Sequence, residues 1–339
     1  MSFKVALNFE DGVTRFIACP PTDTVADASY RAGINIPLDC RDGACGTCKL
    51  FCESGEYDGG SYIEDALTDE EAVQGFALAC QMRPRSDLVL RLPVPAAACK
   101  TGPVTQTAVL EEVTRLSPTT LAFSLKLATP LMFLPGQYVT IQVPGTGQGR
   151  AYSFSSTPGA ASASFLVRNI PGGLMSGFLA NQAKPGLELT FTGPSGSFFL
   201  REMKRPVLLL AGGTGLAPML SMLGQMLAEP PVHPVHLIYG VTNDEDLVEI
   251  ARLEEYASHR PGFTWEACVA SPASAYPRKG YVTQYIQPPY LNGGDVDVYL
   301  CGPPAMVEAV RKYFAESGVT PASFHYEKFA PSVAADKAA

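Results

Sequence analysis

The nine residues Cys40–Cys48 read CRDGACGTC, so three cysteines and two glycines fall within one short stretch. Gly43 and Gly46 can adopt positive φ angles and allow a close approach to a bound group that a side chain would obstruct. A fourth cysteine, Cys80, follows after 31 intervening residues. Closely spaced thiols of this kind are typical of a loop that folds around an inorganic centre.

The spacing of these cysteines is C-x4-C-x2-C…C, which is the ligand spacing of a [2Fe–2S] cluster. Zinc fits less well, because zinc sites usually pair two CxxC-like knuckles. Disulfides fit poorly with an odd total of nine cysteines. Cys52 competes with Cys80 for the fourth position, and the apolar segment Phe76–Cys80, which could close the site from the far side, favours Cys80. The predicted metal ligands are Cys40, Cys45, Cys48 and Cys80.

Residues 1–95 resemble a plant-type ferredoxin domain, and the resemblance implies a β-grasp fold. Alternating apolar residues from Phe3 to Ala18, with a turn between them, predict a hairpin. A short helix is predicted over Thr24–Ala32, with Thr22 or Asp23 as its N-cap. The cluster loop would follow this helix.

The length and charge of the chain bound the possible functions. With 339 residues, 46% apolar and 17% charged, two or three domains with sizeable cores are expected. Residues 1–97 carry 15 acidic and 8 basic side chains, which is −7 of the total formal charge of −8. This acidity disfavours nucleic acid as a partner. It could steer docking onto a basic redox partner, or only keep the domain soluble.

Neither a membrane span nor export is indicated. The 22 residues of Val207–Ala228 carry no charge, but Gly212-Gly213-Thr214-Gly215 and Pro218 break them into a strand, a turn and a helix. The amino terminus lacks an apolar signal core. The odd total of nine cysteines favours a reducing cytoplasm.

A second domain is predicted over residues 104–204, after a linker at 96–103 that is rich in Ala, Pro and Gly. Short strands separated by Gly and Pro favour an antiparallel barrel. Within it, Gly149–Ser156 reads GRAYSFSS. An arginine can neutralise a diphosphate, a tyrosine ring can cover an isoalloxazine, and a serine hydroxyl can hydrogen-bond near flavin N5. An ordinary strand with alternating faces would give the same letters.

Arg168–Leu179 reads RNIPGGLMSGFL and follows the first motif by about 20 residues. The two motifs in this order resemble the flavin-binding elements of the ferredoxin–NADP reductase family, and Gly193–Phe198 resembles the turn that ends its barrel. The second motif would place a diphosphate at a helix N-terminus. The resemblance implies FAD, although some relatives use FMN. It implies flavin contacts from Arg150, Tyr152, Ser153, Phe154, Val167, Arg168, Gly173, Met175 and Ser176.

A third domain is predicted over residues 205–329, followed by a tail at 330–339. Val207–Ala211 is typical of a buried parallel strand, and the Gly-rich turn after it would let a pyrophosphate reach the next helix. The turn is weak evidence in isolation, but in this position it resembles the nicotinamide domain of the same family. The resemblance implies a doubly wound parallel sheet.

The same resemblance implies the nucleotide-binding residues. Relatives that prefer NADPH tend to carry Arg after the second strand, whereas this chain has Asp244, Glu245 and Asp246, which favours NADH. A solvated acidic turn is the alternative. Cys301 in a C-G-P-x-x-M segment and Phe329 near the end could instead be core residues. The implied nucleotide contacts are Gly212, Gly213, Thr214, Gly215, Asp244, Cys301, Gly302 and Pro303. The resemblance also implies that Phe329 lies against the flavin. Ser153 and Cys301 would be the catalytic residues.

The order of the three domains suggests a mechanism. NADH gives up two electrons as hydride, an iron–sulfur cluster accepts one electron at a time, and a flavin can connect them. This order resembles the reductase components of bacterial ring-hydroxylating dioxygenases of the benzoate/toluate/anthranilate type, which implies a terminal oxygenase as the protein partner. Reductases of soluble di-iron monooxygenases share the order and remain an alternative, as does an enzyme of deoxysugar synthesis. A redox carrier or sensor module is disfavoured by the intact GGTG and CGPP segments.

Overall fold

The computed structural model describes residues 2–38, 41–99, 104–228, 230 and 232–329. Cys40, residues 100–103 of the predicted linker and the predicted tail lie outside the described residues. The chain divides into two compact units. The first comprises Met1–Thr105 and Thr192–Ser197, and the second comprises Gln106–Phe191 and Phe198–Ala339.

The first unit is built on a mixed β-sheet with a short two-stranded ribbon. In chain order its elements are β1 (Phe3–Phe9), β2 (Thr14–Cys19), α1 (Val25–Arg31), β3 (Lys49–Ser54), β4 (Tyr57–Asp58), α2 (Asp69–Val73), β5 (Phe76–Leu78), β6 (Arg83–Pro84) and β7 (Leu88–Leu92). The strand order is β2-β1-β7-β3-β5, with β4 and β6 as the ribbon. The predicted hairpin is confirmed, since β1 and β2 pair antiparallel with Phe3 opposite Cys19. Parallel pairing of β1 with β7 completes the β-grasp arrangement.

Helix α1 is confirmed, but its predicted N-cap was wrong. The cap is Thr24, whose Oγ1 accepts a hydrogen bond from Asp27 N at 3.2 Å. Thr24 has an extended backbone with φ −77° and ψ 153°, which is the conformation an N-cap requires. The helix therefore begins at Val25, one residue later than an Asp23 cap would give and two residues later than a Thr22 cap would give.

The barrel is an antiparallel sheet that curls around an aromatic core. In chain order its elements are β8 (Val104–Ser117), β9 (Thr120–Lys126), β10 (Tyr138–Val143), β11 (Gln148–Ser153), β12 (Ser162–Arg168), α3 (Leu174–Asn181) and β13 (Glu188–Ser195). The strand order is β11-β10-β13-β8-β9-β12. Phe123, Phe154, Phe165 and Phe191 lie in its core, each at most 2% exposed. Period-two alternation directs these rings inward.

The predicted nucleotide-binding domain over residues 205–329, the nucleotide-binding half of the chain, is a five-stranded parallel sheet with helices. In chain order its elements are β14 (Val207–Gly212), α4 (Leu216–Ala228), β15 (Val235–Val241), α5 (Ile250–His259), β16 (Phe263–Val269), α6 (Pro288–Leu291), β17 (Asp297–Gly302), α7 (Pro304–Ser317) and β18 (Ser323–Lys328). The strand order is β16-β15-β14-β17-β18, so the direction of winding reverses between β14 and β17. Ligands of doubly wound sheets bind at the carboxyl ends of strands at such a reversal.

The uncharged run Val207–Ala228 forms β14, a tight turn and α4, as predicted. All six residues of β14 are buried, which explains the continuous apolar sequence. Within the described parts of the chain, no helix combines the length and the apolarity that crossing a membrane requires.

Candidate functional site

Two of the predicted cluster ligands, Cys48 and Cys80, are adjacent. Cys80 N donates to Cys48 Sγ at 3.5 Å. A hydrogen bond between the two sulfur atoms lowers the pKa of Cys80 to about 6 and raises the pKa of Cys48. The half-buried Cys45 is close enough for its charge to act on Cys48. The pair therefore favours a thiolate, which is the form that binds iron.

Strand pairing explains why these two cysteines meet. β3 and β5 pair antiparallel with Lys49 opposite Leu78, and Ala79 N donates to Cys48 O at 3.0 Å just beyond the strand ends. The loop before β3 turns at Gly43, which has φ +82°. A Cβ atom on Gly43 would lie 3.1 Å from Tyr62 Cα, so a larger residue would push the two segments apart.

Cys52 points elsewhere. Its thiol donates to Ser54 O at 3.4 Å and to Gly55 O at 3.9 Å. In β3 it pairs with Leu90 of β7, away from the end of the strand that carries Cys48. The structure thus brings Cys80, and not Cys52, to Cys48.

The thiols fit a [2Fe–2S] cluster. Among the described residues, no three His, Cys, Asp or Glu side chains come together closely enough for one metal ion. A [2Fe–2S] cluster, however, divides four thiolates between two irons, so a close pair is the relevant arrangement. Cys48 and Cys80 could hold one iron, and Cys45 would supply a third thiolate; Cys40, the fourth predicted ligand, lies outside the described residues.

Ser153 and Cys301, the two predicted catalytic residues, meet at one carboxylate. Ser153 Oγ at the end of β11 donates to Glu327 Oε2 at 3.2 Å, and Cys301 Sγ at the end of β17 donates to the same oxygen at 4.0 Å. Ser153 is 4% exposed and Cys301 is fully buried. Burial raises the pKa of the Cys301 thiol well above its ordinary value, so it remains protonated.

Glu327 was not predicted as a site residue. It comes to this position because β17 and β18 pair in parallel with Cys301 opposite Glu327. The predicted residue Phe329 lies two residues further on, where its N–H donates to Gly302 O at 2.8 Å and its half-buried ring packs against the core of the nucleotide-binding half. Three segments that are distant in sequence therefore form one polar site.

The remaining flavin candidates fall into two groups. Arg150 and Tyr152 are half-buried on β11; the arginine is held by Gly149 O at 2.8 Å, and burial raises the pKa of the tyrosine. Arg168 is exposed. The first turn of α3 begins at Gly173 without a side-chain cap, which leaves amides for a diphosphate. Two arginines and a helix start suit the charge of FAD.

The second group lies in the barrel core or is already bonded. The Phe154 ring stacks on Phe133 with centroids 3.8 Å apart. Val167 and Met175 are 3% and 2% exposed, so any contact of these three residues with a flavin would be made by backbone atoms. Ser176 Oγ donates to Ile170 O at 3.4 Å and supports the start of α3.

The Gly-rich turn follows β14 at the reversal point of the sheet. Gly212 and Gly215 are buried, whereas Gly213 and Thr214 are partly exposed at the start of α4. A Cβ atom on Gly215 would lie 2.6 Å from the carbonyl carbon of Cys301. The turn therefore packs directly on the Cys301–Gly302 strand end, and the two predicted segments share one edge.

Substituting alanine for Gly215 should destabilise the protein, because the added methyl group meets backbone that cannot rotate away. We expect the free energy of unfolding to fall by about 3 kcal/mol, at the upper end of overpacking costs. Gly213→Ala is the matched control: nothing lies within 4 Å of its Cβ position, and its φ of +54° should cost only about 1 kcal/mol. Urea unfolding measures both; equal losses would contradict the steric explanation.

The acidic loop after β15 borders a cavity of about 370 Å³, which is lined by Asn243, Asp244, Glu245, Ser271, Ala273 and Ser274. Asp244 accepts hydrogen bonds from Ser274 Oγ and from Ala275 N, and the first of these lowers its pKa. Asp246 instead accepts a hydrogen bond from Asn243 N at 2.9 Å. Lys279 is near enough to act on Asp244, but its Nζ donates to Pro272 O at 3.3 Å. The cavity wall thus carries two carboxylates, those of Asp244 and Glu245.

Family models match the chain in three consecutive segments. Residues 8–85 match the 2Fe-2S iron-sulfur cluster binding domain, residues 107–200 the oxidoreductase FAD-binding domain, and residues 209–312 the oxidoreductase NAD-binding domain. The order is the one predicted from the sequence.

Full-length relatives are also found. The chain is 59% identical to the toluate 1,2-dioxygenase electron transfer component of Pseudomonas putida, over 98% of this chain and 100% of that protein. It is 52% identical to the 2-halobenzoate 1,2-dioxygenase electron transfer component of Burkholderia cepacia, over 98% and 99%. The crystal structure of an Amycolatopsis cytochrome P450 reductase matches with a TM-score of 0.72 and 36% identity, over 98% of this chain and 100% of that one.

Proposed function

The chain belongs to the family of iron–sulfur flavoprotein electron transfer components of aromatic-ring dioxygenases, and we propose that it carries electrons from NADH through FAD and a [2Fe–2S] cluster to the oxygenase component of a benzoate 1,2-dioxygenase. The observation that carries the proposal is the meeting of Ser153, Cys301 and Glu327 at the junction of the flavin and nucleotide motifs. This oxidoreductase would serve the degradation of aromatic compounds.

Three parts of the chain have distinct tasks in this proposal. Arg150, Arg168 and the start of α3 bind the flavin diphosphate, and the turn after β14 binds the nucleotide pyrophosphate. Ser153 holds its hydroxyl where a flavin N5 would accept hydride, and the carboxylate of Glu327 fixes that hydroxyl. Bound FAD supplies an acceptor that takes two electrons together and releases them singly. Cys40, Cys45, Cys48 and Cys80 hold the cluster.

NADH is the proposed donor rather than NADPH. Asp244 and Glu245 line the cavity after β15, and a 2′-phosphate there would meet negative charge. A ribose hydroxyl could instead donate to one of these carboxylates. Asp244 would then exchange part of its bonding to Ser274 for the ribose.

The proposed partner is a terminal oxygenase that acts on a benzoate-type acid. Toluate and 2-halobenzoate, in the names of the two relatives, are both ring-substituted benzoates. Their identities of 59% and 52% support this partner over a di-iron monooxygenase. The odd total of nine cysteines supports a reducing compartment such as the cytoplasm.

An anaerobic stopped-flow experiment tests the proposal. The purified protein is mixed with NADH and, separately, with NADPH, while flavin and cluster absorbance are followed together. We expect rapid flavin bleaching by NADH, cluster reduction afterwards, and at least about tenfold slower bleaching by NADPH at equal concentration. A flavin that neither nucleotide reduces would sink the proposal.

A further inference from the structure

Arg252, in the first turn of α5, contacts the backbone just after β11. Its Nη2 donates to Ser155 O at 2.8 Å, and its Nε donates to Tyr256 OH at 2.8 Å. Ser155 is 2% exposed and stands two residues after Ser153. Its own N–H donates to Ser164 O at 2.8 Å, so both backbone polar groups of Ser155 are hydrogen-bonded. A helix of the nucleotide-binding half is thereby fixed to the segment that follows β11, the strand that carries Ser153.

Glu249, the residue before α5, has a strained backbone. Its φ of 60° and ψ of 17° are left-handed, which residues with a Cβ atom avoid. Its Oε2 lies 3.7 Å from Arg252 Nη1. Strain of this kind persists where the surrounding structure fixes it, and it is concentrated at functional sites.

The arrangement uses the shape of an arginine. One planar guanidinium is shared among Ser155 O, the Tyr256 hydroxyl and the Glu249 carboxylate. A lysine has the same charge, but its single ammonium group cannot reproduce this fork. The contact therefore ties α5 to the residues just after β11, two residues from Ser153.

We propose that Arg252 is a positioning residue for hydride transfer, and that Glu249 holds its guanidinium in place. The proposal rests on the proposed function, because it assumes that a nicotinamide delivers hydride to a flavin beside Ser153. The rate of hydride transfer is sensitive to small displacements of the reacting groups, because a misplacement of about 1 Å can lower the rate about 100-fold.

The test uses Arg252→Lys in the FAD- and cluster-loaded protein. We expect the rate constant of flavin reduction at saturating NADH to fall about tenfold or more, with the Kd for NAD⁺ and the FAD content within about twofold of wild type. Arg311→Lys is the matched control. Arg311 has the same kind of partners, Glu308 three residues earlier at 3.4 Å and the Tyr326 ring at 5.7 Å, both in the nucleotide-binding half, and should keep the wild-type rate.

A second variant separates positioning from folding. Glu249→Gly removes the left-handed strain, so the Tm of the FAD-free protein should rise or stay equal while flavin reduction in the loaded protein slows. A wild-type rate in Arg252→Lys, or rates that simply follow Tm in both variants, would overturn the proposal. If NADH does not reduce the wild-type flavin, the proposed function itself has failed, and this inference fails with it.

Discussion

Replacing Cys80 with serine is expected to remove the visible absorbance of the cluster while NADH still reduces the flavin at the wild-type rate. Cys80 is one half of the close thiol pair with Cys48, and a hydroxyl is a poor substitute for a thiolate as an iron ligand. Loss of a residue that only hydrogen-bonds to a metal ligand can lower metal affinity by about 10–100-fold. Loss of a ligand itself should therefore slow the reduction of a one-electron acceptor such as cytochrome c by about 100-fold or more.

Cys52→Ser is the matched control for this experiment. Cys52 is another cysteine of the first unit; it is half-buried, and its thiol donates to Ser54 O and Gly55 O. Its substitution should leave cluster absorbance and cytochrome c reduction unchanged. Iron content and visible spectra distinguish the two variants; bleaching in Cys52→Ser with a normal Cys80→Ser would reverse the ligand assignment.

The second large effect is expected at Ser153. Ser153→Ala removes the hydroxyl beside the proposed hydride acceptor and deprives Glu327 Oε2 of a donor. Loss of one well-placed donor typically costs about 100-fold or more in the catalysed step. Flavin reduction at saturating NADH should slow by roughly this factor, whereas flavin content and Tm should change little.

Two further variants sharpen the Ser153 experiment. Ser162→Ala, on β12 of the same barrel, removes a half-buried hydroxyl away from Glu327 and should leave the rate unchanged. Glu327→Gln and the double variant complete a mutant cycle with Ser153→Ala. If the two residues act together, their effects will not add. Strict additivity would show that the Ser153–Glu327 hydrogen bond has no part in the step.

Features with a local cause could be predicted from the sequence. The buried strand β14 and the break before α4 were predicted because an uncharged run and a cluster of glycines each have a direct structural consequence. The spacing of the cysteines in the cluster loop is likewise a local feature of the sequence. The N-cap of α1 was placed wrongly, because Thr22, Asp23 and Thr24 are all acceptable caps and only the backbone path selects one.

Features that depend on strand register could not be predicted. Glu327 meets Ser153 across 174 residues, and this requires the pairing of β17 with β18, which no local pattern reveals. The inward direction of Phe154 depends on its bridge to Phe165. Cys80 was preferred to Cys52 because of the apolar segment before it, but the contact that brings Cys80 to Cys48, the pairing of β3 with β5, has no local signal in the sequence. In each example the deciding contact is non-local.

The first compact unit has a consequence for chimeric proteins, because it is not one continuous piece of chain. It includes Thr192–Ser197 from the end of β13, and Ser197 Oγ donates to Thr47 O in the cluster loop at 3.3 Å. A single crossover near residue 103 would exchange the ferredoxin segment between reductases but leave this turn with the old host. A graft intended to change the oxygenase served should therefore carry two segments, and a one-crossover chimera should show the mismatch in its cluster loop.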